Sequence, residues 1–129
     1  MGTTLELFAR IMAPDRDNAA EVMMAEAAQA APGSNGLVST LGAQVFNGSD
    51  LGVPMGNLSI SYMSLLKGSG RSDTARSIVE GMVFALRANI ESITRVAGTP
   101  QKEIRVTGGL TQSGIFTQIL SDVMNTGIE

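Results

Sequence analysis

The chain has 129 residues, of which 43% are hydrophobic and 16% charged, and its formal net charge is −3. This composition fits one folded domain and excludes a disordered tail, and an acidic balance without a basic cluster argues against a nucleic-acid groove. Because the chain has no cysteine and no histidine, disulfides, thiol catalysis, Cys/His zinc sites and a histidine base are also excluded.

Two helices are predicted in the first quarter of the chain. Over residues 3–12, apolar side chains recur at helical spacing, and Pro14 ends the pattern. The acidic stretch 15–17 is expected to open the second helix, because negative charge favours a helix N-terminus. That helix is predicted over residues 19–31, a run rich in alanine and methionine that Pro32 closes.

The composition changes between residues 34 and 70, where glycine, serine and asparagine are frequent. Two β-like runs are predicted, at 37–41 and 57–62, and a long glycine-rich loop over 42–56 joins them. Asp50 in this loop is a candidate ligand for a metal or a sugar hydroxyl. A solvated turn aspartate is the favoured alternative for that residue.

A long helix is predicted over residues 72–97 and is expected to bury most of its circumference. Its apolar stripe consists of Ile78, Val79, Met82, Val83, Leu86, Ile90 and Ile93. The charged residues of the opposite side include Glu80, which is expected to be partly exposed, and Glu91, which is expected to pair with Arg95. Gly98 lies where a left-handed residue ends a helix.

A strand, a glycine turn and a helix are predicted in the last quarter of the chain. Apolar and polar residues alternate over 103–107, Gly108 and Gly109 interrupt the run, and helical spacing follows to about Asn125. Glycines let a ligand approach the main chain, and the amides of the following helix face that ligand, so nucleotides bind at such turns. The spacing is neither a P-loop nor the dinucleotide Gly-x-Gly-x-x-Gly, and a tight strand-to-helix connection stays open as the alternative.

Taken together, the second half of the chain resembles the C-terminal domain of the FGGY carbohydrate kinases, which share the ATPase fold of actin, hexokinase and Hsp70. Residues 75–89 resemble the family's long helix, with its pattern Ala-Arg-x-x-x-Glu-Gly-x-x-Phe-x-Leu. Residues 104–109 with Ser113 resemble the adenosine-motif turn, and residues 118–123 resemble the helix after that turn. Residues 2–8 are similar to the start of the helix that follows the second phosphate loop.

The resemblance implies an α/β fold, part of a ribonuclease H-like or actin-like ATPase domain that is helix-rich with a few short strands. It implies that residues 1–129 are a fragment of the C-terminal nucleotide-binding domain of a kinase that phosphorylates a sugar or polyol with ATP and Mg²⁺. The cofactor-binding residues that it implies are Gly108, Gly109, Ser113, Gly2 and Glu6. It assigns no catalytic residue and no metal ligand to this chain.

In this resemblance each residue has an expected place around the nucleotide. The main chain of Gly108 and Gly109 would lie against the adenosine and the phosphates, and Ser113 would hydrogen-bond the adenine or ribose edge. Gly2 would lie near the phosphates at the N-terminus of the first helix, and Glu6 would face the base.

The chain departs from the family pattern in three places, and the last two leave the sugar open. Leu110 stands where the family usually has a third glycine, residues 56–60 replace a Gly-Leu-x-x-like turn, and Thr74 stands where an apolar residue is typical. The branches that the chain resembles are xylulose kinase-like and autoinducer-2 kinase-like, the latter through residues 57–60.

Complete family members are several times longer, and their N-terminal domain holds the first phosphate loop, most of the sugar site and the catalytic aspartate. The fragment is therefore expected to be inactive alone. A cytoplasmic location without a membrane partner is expected, because no apolar run reaches membrane-spanning length and the N-terminus lacks a signal-peptide pattern. Two other functions stay open: a non-catalytic interaction module that forms homo-oligomers, and a stand-alone nucleotide-binding regulator.

Overall fold

The computed structural model describes residues 2–41, 56–99 and 103–128, which form five α-helices and one pair of short antiparallel strands. The helices are α1 (Gly2–Met12), α2 (Ala19–Gln29), α3 (Tyr62–Leu66), α4 (Arg71–Ala97) and α5 (Gly114–Met124). The strands are β1 (Val38–Ser39) and β2 (Leu58–Ser59), and 3-10 turns occupy Ser34–Gly36 and Gly109–Gln112. This is the helix-rich architecture with a few short strands that the sequence predicts.

The core lies where α2 and α5 pack against α4 and α1 packs against α2. Helix α4 contributes four large core side chains, which are Ile78, Val79, Met82 and Val83. The other helices contribute Leu5 and Ala9 from α1, Met23, Met24 and Ala27 from α2, and Phe116, Ile119 and Leu120 from α5. Helix α5 therefore buries the face that its apolar spacing predicts, whereas the apolar residues Leu7 and Ile11 of α1 are exposed.

Helix α2 begins at Ala19, as the sequence predicts, but it ends two residues before the predicted end at residue 31. The helix begins after Asn18, so the acidic stretch 15–17 precedes it, and Glu21 is the acidic residue of its first turn. It ends at Gln29 because Ala30 already has an extended backbone, shortly before a proline that cannot continue a helix.

Helix α4 is buried only along its first half, so the prediction that it buries most of its circumference is wrong for the second half. Its fully buried residues end at Ala85, and Ile93, placed on the apolar stripe by sequence, is 60% exposed. The predicted end is confirmed, because Gly98 is left-handed with φ 69° and its amide bonds the carbonyl of Thr94.

A buried ionic cluster joins α4 to the segment that leaves α2. Glu80 is 7% exposed, and its Oε1 accepts hydrogen bonds from Arg76 Nε at 2.7 Å and from the Gly33 amide at 3.0 Å. Ser34 Oγ donates to Glu80 Oε2 at 2.8 Å, and Arg76 Nη1 donates to the Ala30 carbonyl at 2.9 Å. The expectation of a partly exposed Glu80 is wrong, because each side-chain oxygen finds a donor in this segment.

The expected pair between Glu91 and Arg95 is also replaced by another pair. Glu91 Oε1 accepts a hydrogen bond from Arg87 Nε at 2.7 Å, one turn earlier on the helix. Arg87 also donates to the Val123 carbonyl of α5 at 2.8 Å, so a tertiary contact fixes it beside Glu91.

The two β-like runs form a strand pair that is shorter than predicted. Val38 pairs with Ser59 and Ser39 with Leu58, in antiparallel register. The second run stops because residues 62–66 form α3, a helix that was not predicted from the sequence. Ser61 caps this helix by accepting a hydrogen bond from the Ser64 amide at 3.0 Å. The predicted loop over 42–56, including Asp50, lies outside the described residues except for its last residue.

The strand predicted over residues 103–107 is reduced to one isolated bridge. Ile104 pairs with Ile128 in parallel, and the described residues supply no further pairing along this run. A strand needs a continuous partner for its backbone groups, so alternation of apolar residues alone does not make one.

Helix α3 presents an apolar surface to solvent. Tyr62, Met63, Leu65 and Leu66 are each more than half exposed. Such a surface is typical of a protein contact, and self-association stays a prediction that sedimentation at increasing concentration tests. Among the described residues, none of the helices combines the length and the apolar character that crossing a membrane requires.

Candidate functional site

A cleft of about 750 Å³ lies between the start of α1, the start of α2 and the turn that leads into α5. Its lining residues are Gly2, Leu5, Glu6, Ala20, Glu21, Met24, Thr107, Gly108, Gly109, Leu110, Gln112 and Ser113. All five predicted cofactor-binding residues are in this set, although two come from the beginning of the chain and three from its last quarter. The fold therefore brings these five residues together on one concave surface.

The glycine turn forms an open wall of the cleft. A Cβ atom built on Gly108 or on Gly109 would meet no heavy atom within 4 Å. Gly108 has φ 119°, a conformation that favours glycine, while Gly109 begins the 3-10 turn. The Gly108 carbonyl anchors that turn by accepting from the Thr111 amide at 3.1 Å and from Thr111 Oγ1 at 2.7 Å. The main chain at this corner is therefore held in place and accessible to a ligand.

Ser113 stands between the 3-10 turn and α5. It occupies the N-cap position of α5, but its side chain makes no capping hydrogen bond. Its amide donates to the Leu110 carbonyl at 3.1 Å, and its carbonyl accepts from Thr117 on α5. These main-chain bonds fix the residue while its hydroxyl is left out of the helix cap.

Helix α1 supplies the opposite wall. Gly2 is its first residue, and a Cβ built there would also meet nothing within 4 Å. Leu5 is 4% exposed and anchors the helix in the core, whereas the neighbouring Glu6 is exposed on the cleft. Helix α1, held in the core by Leu5, thus places Glu6 at the cleft.

Three α-helices begin at the cleft. The first residue of α1, the first turn of α2 and the N-cap of α5 all lie on its lining. Helix N-termini carry unpaired amides and a partial positive charge, so this surface favours hydrogen-bond acceptors and anionic groups.

Three polar residues of the cleft were not predicted from the sequence, and these are Thr107, Glu21 and Gln112. Glu21 lies in an alanine-rich helix without a motif, but its position three residues after Asn18 marks it as a first-turn acid. Asn18 Nδ2 donates to Glu21 Oε2 at 3.2 Å. Within the described residues, no three acidic side chains gather as a metal centre would need.

Comparisons with known proteins agree with one another. A model described as the FGGY family of carbohydrate kinases, C-terminal domain, matches residues 2–129. A glycerol kinase of Gloeobacter violaceus is 30% identical over 67 residues, which are 52% of this chain and 14% of that protein. A glycerol kinase of Thermococcus onnurineus is 32% identical over 63 residues, 49% of this chain and 12% of that protein.

A solved structure shares the fold over nearly the whole chain. The crystal structure of xylulose kinase from Rhodospirillum rubrum superposes with a TM-score of 0.81 and 23% sequence identity, and the match covers 99% of this chain and 25% of that one. At this identity the likeness concerns the fold. The matched stretches are thus a quarter or less of the length of these relatives.

Proposed function

The chain belongs to the FGGY family of carbohydrate kinases, and from this premise we propose that it is part of the nucleotide-binding domain of an ATP-dependent kinase that phosphorylates a sugar or a polyol. The observation that carries the proposal is the cleft, on which the five residues implied by the family motifs lie together. The actin-like ATPase fold of the family accounts for the helices that surround it.

Each wall of the cleft has a proposed part in holding ATP. Gly108 and Gly109 expose main chain against which the adenosine and the first phosphates lie, since no side chain stands between. The Ser113 hydroxyl donates to the adenine or ribose edge. Gly2, at the start of α1, adds helix amides for a phosphate, and Glu6 accepts from donor groups of the base.

The reaction transfers the γ-phosphoryl group of ATP to a hydroxyl of the acceptor. Such transfer depends on positioning and on charge neutralisation, and a carboxylate base takes the hydroxyl proton. Mg²⁺ is held in kinases by one or two carboxylates together with the phosphates. The described residues hold no cluster of three acidic side chains for a metal, so Mg²⁺ would arrive bound to the phosphates of the nucleotide. We also propose that the whole enzyme is located in the cytoplasm, where ATP is available.

We expect the 129-residue chain to make no sugar phosphate by itself. It matches only the C-terminal domain of the family and 12 to 14% of the two glycerol kinases, so most of an acceptor site and a catalytic base are assigned to the rest of the enzyme. A radiolabelled ATP assay with glycerol and with xylulose measures this. Formation of either phosphate by the purified chain would contradict the expectation that the chain is inactive by itself.

Filling the glycine corner is expected to remove nucleotide binding. Gly109→Phe places a ring in open space without a backbone clash, so the fold persists while the adenosine position is blocked. We expect at least about a tenfold loss of ATP affinity, which corresponds to roughly 1.4 kcal/mol. Chemical-shift titration of the purified chain with ATP measures the affinity.

Gly127→Phe is the matched control, because a Cβ there also meets nothing within 4 Å and the residue does not line the cleft. Its ATP affinity is expected to equal that of the wild-type chain. Equal ATP affinity in the Gly109 variant and the wild-type chain would refute the assignment of the cleft.

A further inference from the structure

The charged side chains on the lining of the cleft are acidic, so part of the cleft is poorly suited to phosphate groups. Glu6 and Glu21 line it, and the described residues of the lining include no lysine and no arginine. Phosphate groups are usually bound by arginine and lysine, which match their charge. A carboxylate instead accepts hydrogen bonds from uncharged donors such as ribose hydroxyls and an exocyclic amine.

Glu21 is placed to act on a ligand from the α2 side of the cleft. It is exposed in the first turn of α2, and Asn18 Nδ2 orients its Oε2 from 3.2 Å. Ala20 and Met24 line the cleft beside it, and Met24 is itself 92% buried. The carboxylate therefore stands at the edge of the cleft on a helix that its buried face holds in place.

We propose that Glu21 determines which part of a nucleotide this wall accepts. Its carboxylate accepts a hydrogen bond from a donor of the nucleoside, either a ribose hydroxyl or the exocyclic amine, and together with Glu6 it repels phosphates from α2. The repulsion acts over the roughly 8–10 Å at which charges are felt in ordinary salt. The inference rests on the proposed function, since it assumes that the ligand of the cleft is a nucleotide.

The test compares nucleoside with nucleotide in one charge-neutral variant. The 129-residue chain and its Glu21→Gln variant are titrated with adenosine and with ATP, and the Gly108 and Gly109 amide signals report binding at the cleft. We expect Glu21→Gln to weaken adenosine binding about fivefold, because a charge-assisted hydrogen bond becomes a neutral one. ATP is expected to lose less, so that the ratio of the two affinities shifts toward ATP.

Three analogues separate the two sources of the donor. If a ribose hydroxyl is bound, the effect of Glu21→Gln disappears with 2′-deoxyadenosine or 3′-deoxyadenosine; if the amine is bound, it disappears with purine riboside. Glu21→Lys is expected to bind ATP more tightly than Glu21→Gln does, because it reverses the charge. Asp122→Asn is the control, since Asp122 is an exposed carboxylate on α5, bonded to Gln118, that does not line the cleft.

Two results overturn the inference and are distinguishable. If the wild-type chain binds adenosine and ATP, and both Glu21 variants bind them with the same affinity ratio as the wild-type chain, Glu21 does not select the ligand. The proposed function is then unaffected. Absence of any perturbation of Gly108 and Gly109 by adenosine and ATP in the wild-type chain removes the nucleotide cleft and this inference with it.

Discussion

Replacing Glu80 with alanine is expected to lower the free energy of unfolding by about 3–5 kcal/mol. The substitution leaves the Arg76 guanidinium buried without its carboxylate, and it also removes the acceptor for Gly33 and Ser34. Domains of this size are stabilised by roughly 5–15 kcal/mol, so the loss is a large part of the total. Urea unfolding followed by circular dichroism measures the change in midpoint at constant slope.

Helix α4 carries its own matched control for this experiment. Arg87 and Glu91 repeat the order and the spacing of Arg76 and Glu80, with the same distance of 2.7 Å, but their side chains are 52% and 54% exposed rather than 8% and 9%. Glu91→Ala is therefore expected to cost at most about 1 kcal/mol. Equal losses of unfolding free energy for the two alanine variants would show that burial does not determine the contribution of the Glu80 cluster to stability.

A double-mutant cycle identifies the cause of the loss. If the cost of Glu80→Ala comes from an uncompensated buried charge, removing Arg76 as well costs less than the sum of the two single substitutions. Strict additivity would contradict that cause. A cost below the sum would indicate that the Arg-x-x-x-Glu pattern of the family has a structural role in this chain. Arg76 and Glu80 hold the segment after α2 against α4.

Helices α1, α2, α4 and α5 were predictable because each is marked locally. Proline follows α1 and α2, Gly98 ends α4, and Asn125 ends α5 in the left-handed conformation with φ 51°. These signals act within one turn of the chain, and the apolar spacing between them selects the buried face.

Features that depend on distant contacts were not predictable in the same way. Glu80 reads as a surface carboxylate on a charged helix face, and only the approach of residues 33 and 34 buries it. The run over 103–107 alternates like a strand, but its pairing depends on a partner that is set by tertiary structure. Helix α3 is five residues long, too short for its apolar spacing to differ from that of a strand.

The candidate site was predictable only as a set of family positions. Family motifs that lie far apart in the sequence predicted that Gly2, Glu6, Gly108, Gly109 and Ser113 bind the cofactor. The fold brings these residues together at the cleft. Glu21 belongs to no motif, and its place at the cleft follows from where α2 begins. A residue of this kind is found from the structure and not from the sequence.

Gly81→Ala is expected to destabilise the chain by about 1–3 kcal/mol, and Gly81→Val by more. A Cβ built on Gly81 would overlap the Ser39 carbonyl oxygen, because β1 packs directly on α4 at this residue. The obstacle is a backbone atom of a buried residue, so it cannot turn aside as a flexible side chain does. Either β1 moves, with loss of its pairing to β2, or α4 shifts in the core.

The sign of this effect separates a packing role from helix propensity. In a helix interior without a close contact, glycine to alanine stabilises by roughly 0.5–1 kcal/mol. Gly114→Ala, at the first residue of α5, provides a comparison that is expected to have the same sign and a smaller size, since a Cβ there meets nothing within 4 Å. Opposite signs for the two alanine variants in urea unfolding support the close contact of β1 with α4; stabilisation by both would contradict it. Because Glu80 holds residues 33 and 34 and Gly81 admits Ser39, two adjacent residues of α4 fix the whole segment that runs from the end of α2 into β1.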